Sequence, residues 1–136
     1  MRNKSVKVGV IGVGHLGRHH TKHYASLQDA DLVGIFDIDP HRASSIANQN
    51  NTNAFTELSS LLDEVEAVSI VTPTPFHAEG AEKCILTGKH VFIEKPITKT
   101  LEEADRLVLL SKEKGTMIQV AHIERLNPAL LALQPY

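Results

Sequence analysis

Three glycines with the spacing G-x-G-x-x-G, at Gly12, Gly14 and Gly17, have the arrangement of a loop that binds a pyrophosphate. The loop lies between a β-branched run and a predicted helix, which is the context that this motif needs. There the first glycine permits a tight turn, the second lets the ligand approach the backbone, and the third allows close helix–strand packing. The N–H groups at the start of the helix attract the anion. The sequence therefore predicts a dinucleotide-binding loop rather than a glycine turn without a ligand.

Asp37 ends the second predicted strand, about 20 residues after the last glycine, where a carboxylate can bind the adenosine ribose. A carboxylate there accepts hydrogen bonds from both ribose hydroxyls and repels a 2′-phosphate. This predicts NAD as the cofactor and makes NADP the less favoured one. Arg42 is close in sequence and would favour NADP if its guanidinium met the 2′-phosphate.

Three histidines at four-residue spacing, His15, His19 and His23, suggest a different chemistry, a metal-binding helix face. Histidine pairs at i, i+4 bind metals, but catalytic sites add a third ligand and a general base. No acidic residue lies between these histidines, and the phosphate loop needs the backbone N–H of His15. Arg18 and Lys22 add charge at the positive end of the helix, which suits an anion. The sequence therefore favours a solvated or partly packed histidine face and predicts no metal site.

Two further motifs carry titratable residues at predicted strand ends. TPTPFH, residues 72–77, follows the fourth strand, and EKP, residues 94–96, follows the fifth. The carboxyl ends of parallel strands form the edge at which open α/β sheets bind ligands. From the residues alone, His77 either contacts a ligand or caps a helix, and Glu94 either contacts a ligand or caps the next turn. Lys95 is either functional or a surface lysine in a turn.

These motifs are positioned by an alternation of apolar strands and helices. The strands are continuous apolar runs, which indicates that helices cover both faces of a parallel sheet. With right-handed crossovers, the predicted fold is α/β, a Rossmann-type doubly wound parallel sheet. Helix starts are marked by Asp39 before Pro40 and by a capping box of Thr100 and Glu103. Strands are predicted at 6–13, 30–36, 54–55, 67–71, 90–93 and 117–121, and helices at 15–27, 40–50, 56–62, 77–87 (closed by Gly88), 101–114 (closed by Gly115) and from 128 onward.

The composition is that of one ordinary globular domain. The chain has 136 residues, 42% of them hydrophobic and 22% charged, with a net charge of −2. This charge balance gives no case for a nucleic-acid or membrane partner, and no apolar run reaches the roughly 20 residues needed to cross a bilayer. The N-terminus lacks the features of a signal peptide. The single cysteine, Cys84, is predicted to be a buried thiol, which fits a cytoplasmic location.

Together, the segments GVGHLG, FDIDPHRA, VTPTPFHAE, GKHVFIEKP and HIERLNPA resemble the N-terminal nucleotide-binding domain of the glucose–fructose oxidoreductase / inositol dehydrogenase / MocA family. The resemblance covers nearly the whole chain. It implies that Lys95 is the catalytic residue, beside the nicotinamide and the reacting hydroxyl, and that its peptide bond to Pro96 is cis. It also implies cofactor contacts from the TPTPFH and EKP motifs. With the glycine loop and the end of the second strand, the predicted cofactor-binding residues are Gly12, Val13, Gly14, His15, Leu16, Gly17, Asp37, Ile38, Thr72, Pro73, Thr74, His77, Glu94 and Lys95.

The resemblance implies an NAD-dependent dehydrogenase that oxidises a secondary alcohol of a sugar, polyol or nucleotide sugar by hydride transfer. The segment HIERLNPA looks like that of members acting on UDP-N-acetylglucosamine-type substrates. Its predicted substrate-binding residues are His122, Glu124 and Arg125. From the residues alone, an alternative interpretation stays open, in which Glu124 and Arg125 form a surface pair and Asn127 caps a helix. A homo-oligomer is expected.

Members of this family carry a second domain that holds the substrate and completes the catalytic group. Residues 1–126 are predicted to form the NAD(P)-binding domain, and residues 127–136 to begin a linker helix toward a substrate domain that this chain lacks. The apolar run 129–133 would then expose surface and promote self-association. Two alternatives stay open: a stand-alone NAD-binding or redox-sensing module without catalysis, and another NAD(P)-dependent reductase, such as one acting on amino-acid semialdehydes. EKP argues against the latter.

Overall fold

Six parallel strands form one sheet in the order β3-β2-β1-β4-β5-β6 in the computed structural model, which describes residues 5–133. The order reverses between β1 and β4, so a crevice opens there at the carboxyl ends of the strands. The predicted Rossmann-type doubly wound sheet is thus confirmed. The elements are β1 (Val6–Ile11), α1 (Gly17–Ser26), β2 (Ala30–Phe36), α2 (Pro40–Gln49), β3 (Asn53–Phe55), α3 (Leu58–Glu64), β4 (Ala67–Ile70), α4 (His77–Leu86), β5 (His90–Ile93), α5 (Leu101–Lys114), β6 (Ile118–Val120) and α6 (Pro128–Leu133), with 3₁₀ turns at Thr74–Phe76 and Ile123–Leu126.

Two apolar clusters, one on each face of the sheet, explain why the strands are continuous apolar runs. Successive residues of β1, Val10 and Ile11, point into different clusters because side chains alternate along a strand. One cluster joins the sheet to α3, α4 and α5, with Leu61, Ile85 and Leu107 fully buried. The other includes Ile35 of β2 and Ile46 and Ala47 of α2. Burial on both faces is what a parallel sheet requires.

Local capping sets the boundaries of α2, α4 and α5 within one residue of the predicted ones, whereas α1 and α3 each begin two residues later than predicted. The Asp39 side chain accepts the N–H groups of His41 and Arg42 at the start of α2. Thr100 and Glu103 form the predicted capping box at the start of α5. Gly88 and Gly115 both adopt positive φ after their helices. These boundaries are encoded locally, by side chains within a few residues of the helix end.

The first strand is shorter than predicted. It ends at Ile11 rather than Val13, because Gly12 turns the chain with φ +84° and donates its N–H to the carbonyl of Phe36. Val13 is still buried, but as part of the loop. The glycine loop therefore begins one residue after the strand.

Cys84 is a buried thiol on α4, as predicted. Burial raises its pKa to about 12, against a smaller opposing effect of Lys83 and Lys89. A thiol that resists ionisation is a poor nucleophile, so Cys84 has a packing role.

Within residues 5–133, no helix combines the length and apolarity needed to cross a membrane.

Candidate functional site

The predicted cofactor-binding residues lie after four neighbouring strands, β2, β1, β4 and β5, at one edge of the sheet. These strands are adjacent in the sheet order, although their sequence positions are far apart. The fold therefore brings the four segments to the same crevice. The segments are residues 12–17 after β1, residues 37–38 after β2, residues 72–77 after β4 and residues 94–95 after β5.

The three glycines of the loop are needed for three different reasons. A Cβ at Gly12, where φ is +84°, would lie 2.9 Å from the backbone nitrogen of Thr72. A Cβ at Gly17 would overlap the carbonyl oxygen of Gly12. At Gly14 a Cβ would meet no atom within 4 Å. Gly12 and Gly17 are thus required by the fold, whereas the space beside Gly14 is open to a ligand.

The start of α1 has the features of an anion site. Leu16, at the N-cap, makes no side-chain hydrogen bond to the helix, and no acidic residue lies in the first turn. Among residues 5–133, no acceptor is found for the backbone N–H groups of His15 and Leu16. Uncapped N–H groups and the helix dipole attract negative charge. This end of the helix fits the pyrophosphate of a dinucleotide.

Asp37 holds the glycine loop against the end of β2. Its Oδ2 accepts the N–H of Val13 at 2.8 Å, and its Oδ1 accepts the N–H of Asp39 at 2.9 Å. The carboxylate is therefore positioned by the backbone of two loops before any ligand binds. The neighbouring Ile38 is 90% exposed.

Arg42 pairs with the two carboxylates beside it. Its guanidinium lies 3.3 Å from Oδ1 and 3.4 Å from Oδ2 of Asp37, and 3.3 Å from Asp39. The side chain of Asp37 is only 4% exposed, whereas that of Arg42 is 47% exposed. The guanidinium therefore contacts the same carboxylate that is predicted to bind the ribose, and it does so from a half-exposed position. The sequence could not show that the two residues favouring opposite cofactors are paired.

The β4 segment contributes an unpaired hydroxyl next to the loop. The Oγ1 of Thr72 is buried and has no hydrogen-bond partner in the described part of the chain. Thr72 also forms the backbone wall that excludes a side chain at Gly12. A buried polar atom without a partner is unusual in a folded protein. The next residues, Pro73 and Thr74, lead into the 3₁₀ turn before α4.

His77 connects the β4 segment to the β5 segment. It is 1% exposed; its Nε2 lies 2.8 Å from the carbonyl of Thr72 and its Nδ1 lies 2.9 Å from the carbonyl of Pro96. Because a carbonyl only accepts, both contacts are hydrogen bonds at once only in the doubly protonated ring. Both ring nitrogens face protein atoms, so His77 joins two segments of the crevice. A direct contact with the cofactor stays a prediction.

The EKP segment begins with a hydrogen-bonded glutamate and continues through a cis peptide bond between Lys95 and Pro96, as the resemblance implies. Glu94 Oε2 accepts the N–H of Lys95 at 3.1 Å, and Glu94 Oε1 lies 3.0 Å from Nε2 of His20. The Lys95 side chain is exposed.

His20 is the residue that the sequence analysis missed. His19 and His23 lie on the exposed face of α1 and His15 is exposed in the loop before it. His20, in contrast, is half-buried and reaches the crevice. A helical wheel could have found it. Gly17 is buried and Tyr24 packs against the core, and His20, three residues after the one and four before the other, lies on the same side of α1.

The exposed histidines have cationic surroundings. The rings of His15 and His19 meet edge to face at 5.7 Å between centroids. Slight desolvation of the exposed ring, followed by the charges of Arg18, His15, His23 and Lys22, lowers the pKa of His19. In the range 5–133, no three histidine, cysteine or acidic side chains are arranged to hold a metal ion.

The predicted substrate-binding residues, His122, Glu124 and Arg125, follow β6 and are all exposed. Glu124 and Arg125 do not form the surface pair that is the alternative interpretation of the sequence. Glu124 accepts instead from the side-chain amide of Asn127 at 2.9 Å, and Asn127 in turn accepts the N–H of Ala129 at the start of α6. No contact in the described residues fixes the position of the Arg125 guanidinium. The substrate role of the three residues stays a prediction.

Residues 6–122 match the sequence model of an oxidoreductase family with an NAD-binding Rossmann fold, GFO_IDH_MocA. The chain belongs to this family. The predicted resemblance and the predicted NAD cofactor are thereby confirmed at the level of the family. The open space at Gly14, the uncapped start of α1 and the positioned carboxylate of Asp37 fit a bound dinucleotide.

Among curated proteins, this family member is 43% identical over 129 residues to UDP-N-acetylglucosamine 3-dehydrogenase of Acidithiobacillus ferrooxidans, covering 95% of this chain and 41% of the relative. It is 35% identical over 128 residues to scyllo-inositol 2-dehydrogenase (NAD(+)) of Bacillus subtilis, covering 91% of this chain and 37% of the relative. The chain thus spans about two fifths of the length of the relatives it matches.

Solved structures agree with the fold and with the family. The UDP-N-acetylglucosamine 3-dehydrogenase from Acidithiobacillus ferrooxidans superposes with a TM-score of 0.93 at 42% identity, covering 98% of this chain and 42% of that chain. The scyllo-inositol dehydrogenase from Lactobacillus casei, solved with NAD(H) and scyllo-inositol, superposes with a TM-score of 0.89 at 25% identity, covering 97% and 40%.

Proposed function

We propose that this chain is the N-terminal, cofactor-binding half of an NAD-dependent dehydrogenase that oxidises a secondary alcohol of a sugar, polyol or nucleotide sugar. The observation that carries the proposal is the convergence of four loop segments at one sheet edge, around a glycine loop in which Gly14, unlike Gly12 and Gly17, has open space where a side chain would lie. Named relatives act on substrates of these classes. NAD, when bound, supplies the hydride acceptor.

The chain's own residues divide the work along the crevice. The N–H groups at the start of α1 bind the pyrophosphate, and Asp37 binds the adenosine ribose. Lys95, exposed at the end of β5, accepts or donates the hydroxyl proton of the substrate. Thr72, Pro73 and Thr74 line the path between these two ends.

The favoured substrate is a nucleotide sugar. The support is the 43% identical relative whose name specifies oxidation of UDP-N-acetylglucosamine at position 3. On this hypothesis His122, Glu124 and Arg125 contact the sugar or its diphosphate. The exposed position of all three after β6 leaves them accessible to such a ligand.

The domain boundary follows from the same hypothesis. Residues 1–126 form the NAD-binding domain, and residues 127–136 lead through α6 toward a substrate domain, because the relatives are more than twice as long as this chain. Residues 134–136 lie outside the described range. We also expect a cytoplasmic homo-oligomer with no nucleic-acid partner.

A second candidate function is an NAD-binding module without catalysis. It is favoured by one observation: the chain holds all the predicted cofactor contacts but only three predicted substrate contacts. A third, less favoured candidate is a reductase of another substrate class.

Two observations separate these candidates from the proposed dehydrogenase. A longer gene product with dehydrogenase activity would support the enzyme. Loss of that activity in Lys95→Ala would support the catalytic assignment, whereas unchanged turnover of a sugar substrate would remove it.

The first test is a titration of the chain with NADH and with NADPH, following nicotinamide fluorescence, for which the absence of tryptophan is an advantage. We expect saturable binding with a preference for NADH. Gly14→Val should abolish binding while the circular dichroism spectrum stays that of the wild type, because the new side chain fills only ligand space. Failure of the folded wild-type chain to bind either nucleotide would contradict the proposal.

A further inference from the structure

A chain of polar side chains connects the middle of the sheet to the EKP segment. Nδ1 of His20 lies 2.8 Å from the hydroxyl of Ser69 on β4, and its Nε2 lies 3.0 Å from Oε1 of Glu94. Burial raises the pKa of Tyr24, and the hydroxyl of Ser69 opposes that rise. Ser69 is buried, and the side chains of His20 and Glu94 are only 17% and 14% exposed. The network is therefore largely shielded from water, and hydrogen bonds are stronger in the protein interior than in water.

The network leaves Glu94 little freedom. One carboxylate oxygen contacts His20 and the other accepts the N–H of Lys95. Since a carboxylate only accepts, Nε2 of His20 carries the proton in this contact. In the neutral ring, Nδ1 then accepts from the hydroxyl of Ser69, which fixes the orientation of the imidazole from its other side. The ring thus holds Glu94, and Glu94 holds the peptide from which the Lys95 side chain extends.

We propose that His20 is a positioning residue of the nicotinamide end of the site, holding Glu94 and, through it, the backbone of Lys95. This inference rests on the proposed function, since that function puts Lys95 beside the nicotinamide. The effect of His20 is comparable to that of residues that hydrogen-bond the ligands of a metal ion and so fix the orientation of those ligands without touching the metal.

A purely structural role makes a different prediction. The ring of His20 also contacts Phe92 of β5, with 5.9 Å between centroids, so the residue contributes to packing of α1 on the sheet. Loss of packing would disturb α1 as a whole, including its start at the phosphate loop. A positioning role affects the nicotinamide end and leaves the adenosine and pyrophosphate end intact.

The experiment separates these two ends of the cofactor. Binding of NADH and of ADP-ribose, which lacks the nicotinamide, is measured by calorimetry for the wild-type chain and for His20→Leu, which fills space without hydrogen bonds. We expect about a tenfold weaker Kd for NADH in His20→Leu, the size of effect typical of a lost hydrogen bond to a charged group. The Kd for ADP-ribose should stay within about twofold of the wild type.

Three further variants sharpen the result. His20→Gln keeps an N–H donor toward Glu94 and should recover most of the NADH affinity. The double variant of His20→Leu with Glu94→Gln should bind NADH no more weakly than Glu94→Gln alone, because residues that act through one another are not additive. His23→Ala, an exposed histidine on the same helix, is the matched control and should bind both ligands as the wild type does. If His20→Leu does not fold, Ser69→Ala takes its place, with a smaller loss for NADH alone.

Each outcome decides between the proposals. If the wild-type chain binds neither ligand, the proposed function and this inference both fail. If the wild type binds both ligands and His20→Leu weakens both equally, or weakens neither, His20 has no positioning role while the proposed function stands. Full additivity of His20→Leu and Glu94→Gln would also overturn the inference.

Discussion

A single carboxylate, Asp37, connects the conformation of the glycine loop to the choice of cofactor. It accepts backbone N–H groups from both the loop after β1 and the loop after β2, and it is paired with Arg42. The residue that would bind the ribose is therefore also the residue that shapes the phosphate loop. Its two roles predict two measurable losses.

Asp37→Ala should lower both stability and selectivity. Loss of the acceptor for Val13 and Asp39 should reduce the free energy of unfolding by about 1–3 kcal/mol, measured by urea denaturation. NADH should bind about tenfold more weakly, whereas NADPH should lose less, because the repulsion of its 2′-phosphate is gone and Arg42 is released. Asp63→Ala, an exposed position on α3, is the control. An unchanged ratio of NADH to NADPH affinity would show that Asp37 does not select the cofactor.

Gly17→Ala should prevent the loop from folding. The added methyl group overlaps the carbonyl of Gly12, and backbone atoms in a packed loop cannot move aside cheaply. Gly80→Ala is the matched control on α4, since its Cβ would lie 3.9 Å from Ile70, an ordinary contact. Thermal denaturation followed by circular dichroism should show a greatly lowered melting temperature for Gly17→Ala. For Gly80→Ala the melting temperature should rise, corresponding to a gain of about 0.5–1 kcal/mol in the free energy of unfolding. Equal melting temperatures would contradict the packing role of Gly17.

At the scale of elements, the two faces of α1 have different surroundings. Its start and its packed face, including Gly17, His20 and Thr21, contact the loop and the sheet. Its other face carries the exposed histidines. The division follows from the 3.6-residue period, which brings residues three and four apart to the same side. A motif read along the chain does not reveal which of two neighbouring histidines faces inward.

The capping box of α5 gives a prediction at this scale. Thr100→Ala removes the acceptor for the N–H of Glu103 and should cost about 1 kcal/mol of unfolding free energy. Urea denaturation monitored by circular dichroism measures this loss. Ser44→Ala, at an exposed position inside α2, is the control and should be neutral or slightly stabilising, since alanine favours helix. Equal effects of the two substitutions would show that the box does not stabilise α5.

At the scale of the whole molecule, the end of the described chain exposes an apolar surface. Leu126, Leu130, Leu131 and Leu133 are all at least 43% exposed. Grouped leucines in contact with water favour association. This surface follows β6 and lies next to the predicted substrate residues in sequence.

Concentration-dependent self-association of the chain is the expected consequence. Sedimentation velocity at increasing protein concentration should show a rising average mass, and the double substitution Leu130→Ser and Leu133→Ser should reduce it. Leu101→Ser, at a 79% exposed leucine of α5, is the control. A wild-type chain that stays monomeric at all concentrations would contradict this prediction.

Sequence alone determined the features that depend on neighbours along the chain. Asp39, Thr100 and Glu103 cap helices through contacts within three residues, so their roles could be predicted without a structure. The order of strands and helices follows from periodicity, and the roles of the three glycines follow from their position between a strand and a helix. The convergence of four loop segments follows in turn, since parallel strands place their carboxyl ends at one edge.

Only the tertiary structure decided which side chains pair within the crevice. His20 meets Ser69 and Glu94 across separations of 49 and 74 residues. His77 meets the carbonyl of Pro96, and its burial directs both ring nitrogens to protein atoms. Such contacts depend on the packing of helices on the sheet and on rotamers, which no local spacing encodes. The sequence therefore predicted where the site lies, and the packed fold determined how its residues hold one another.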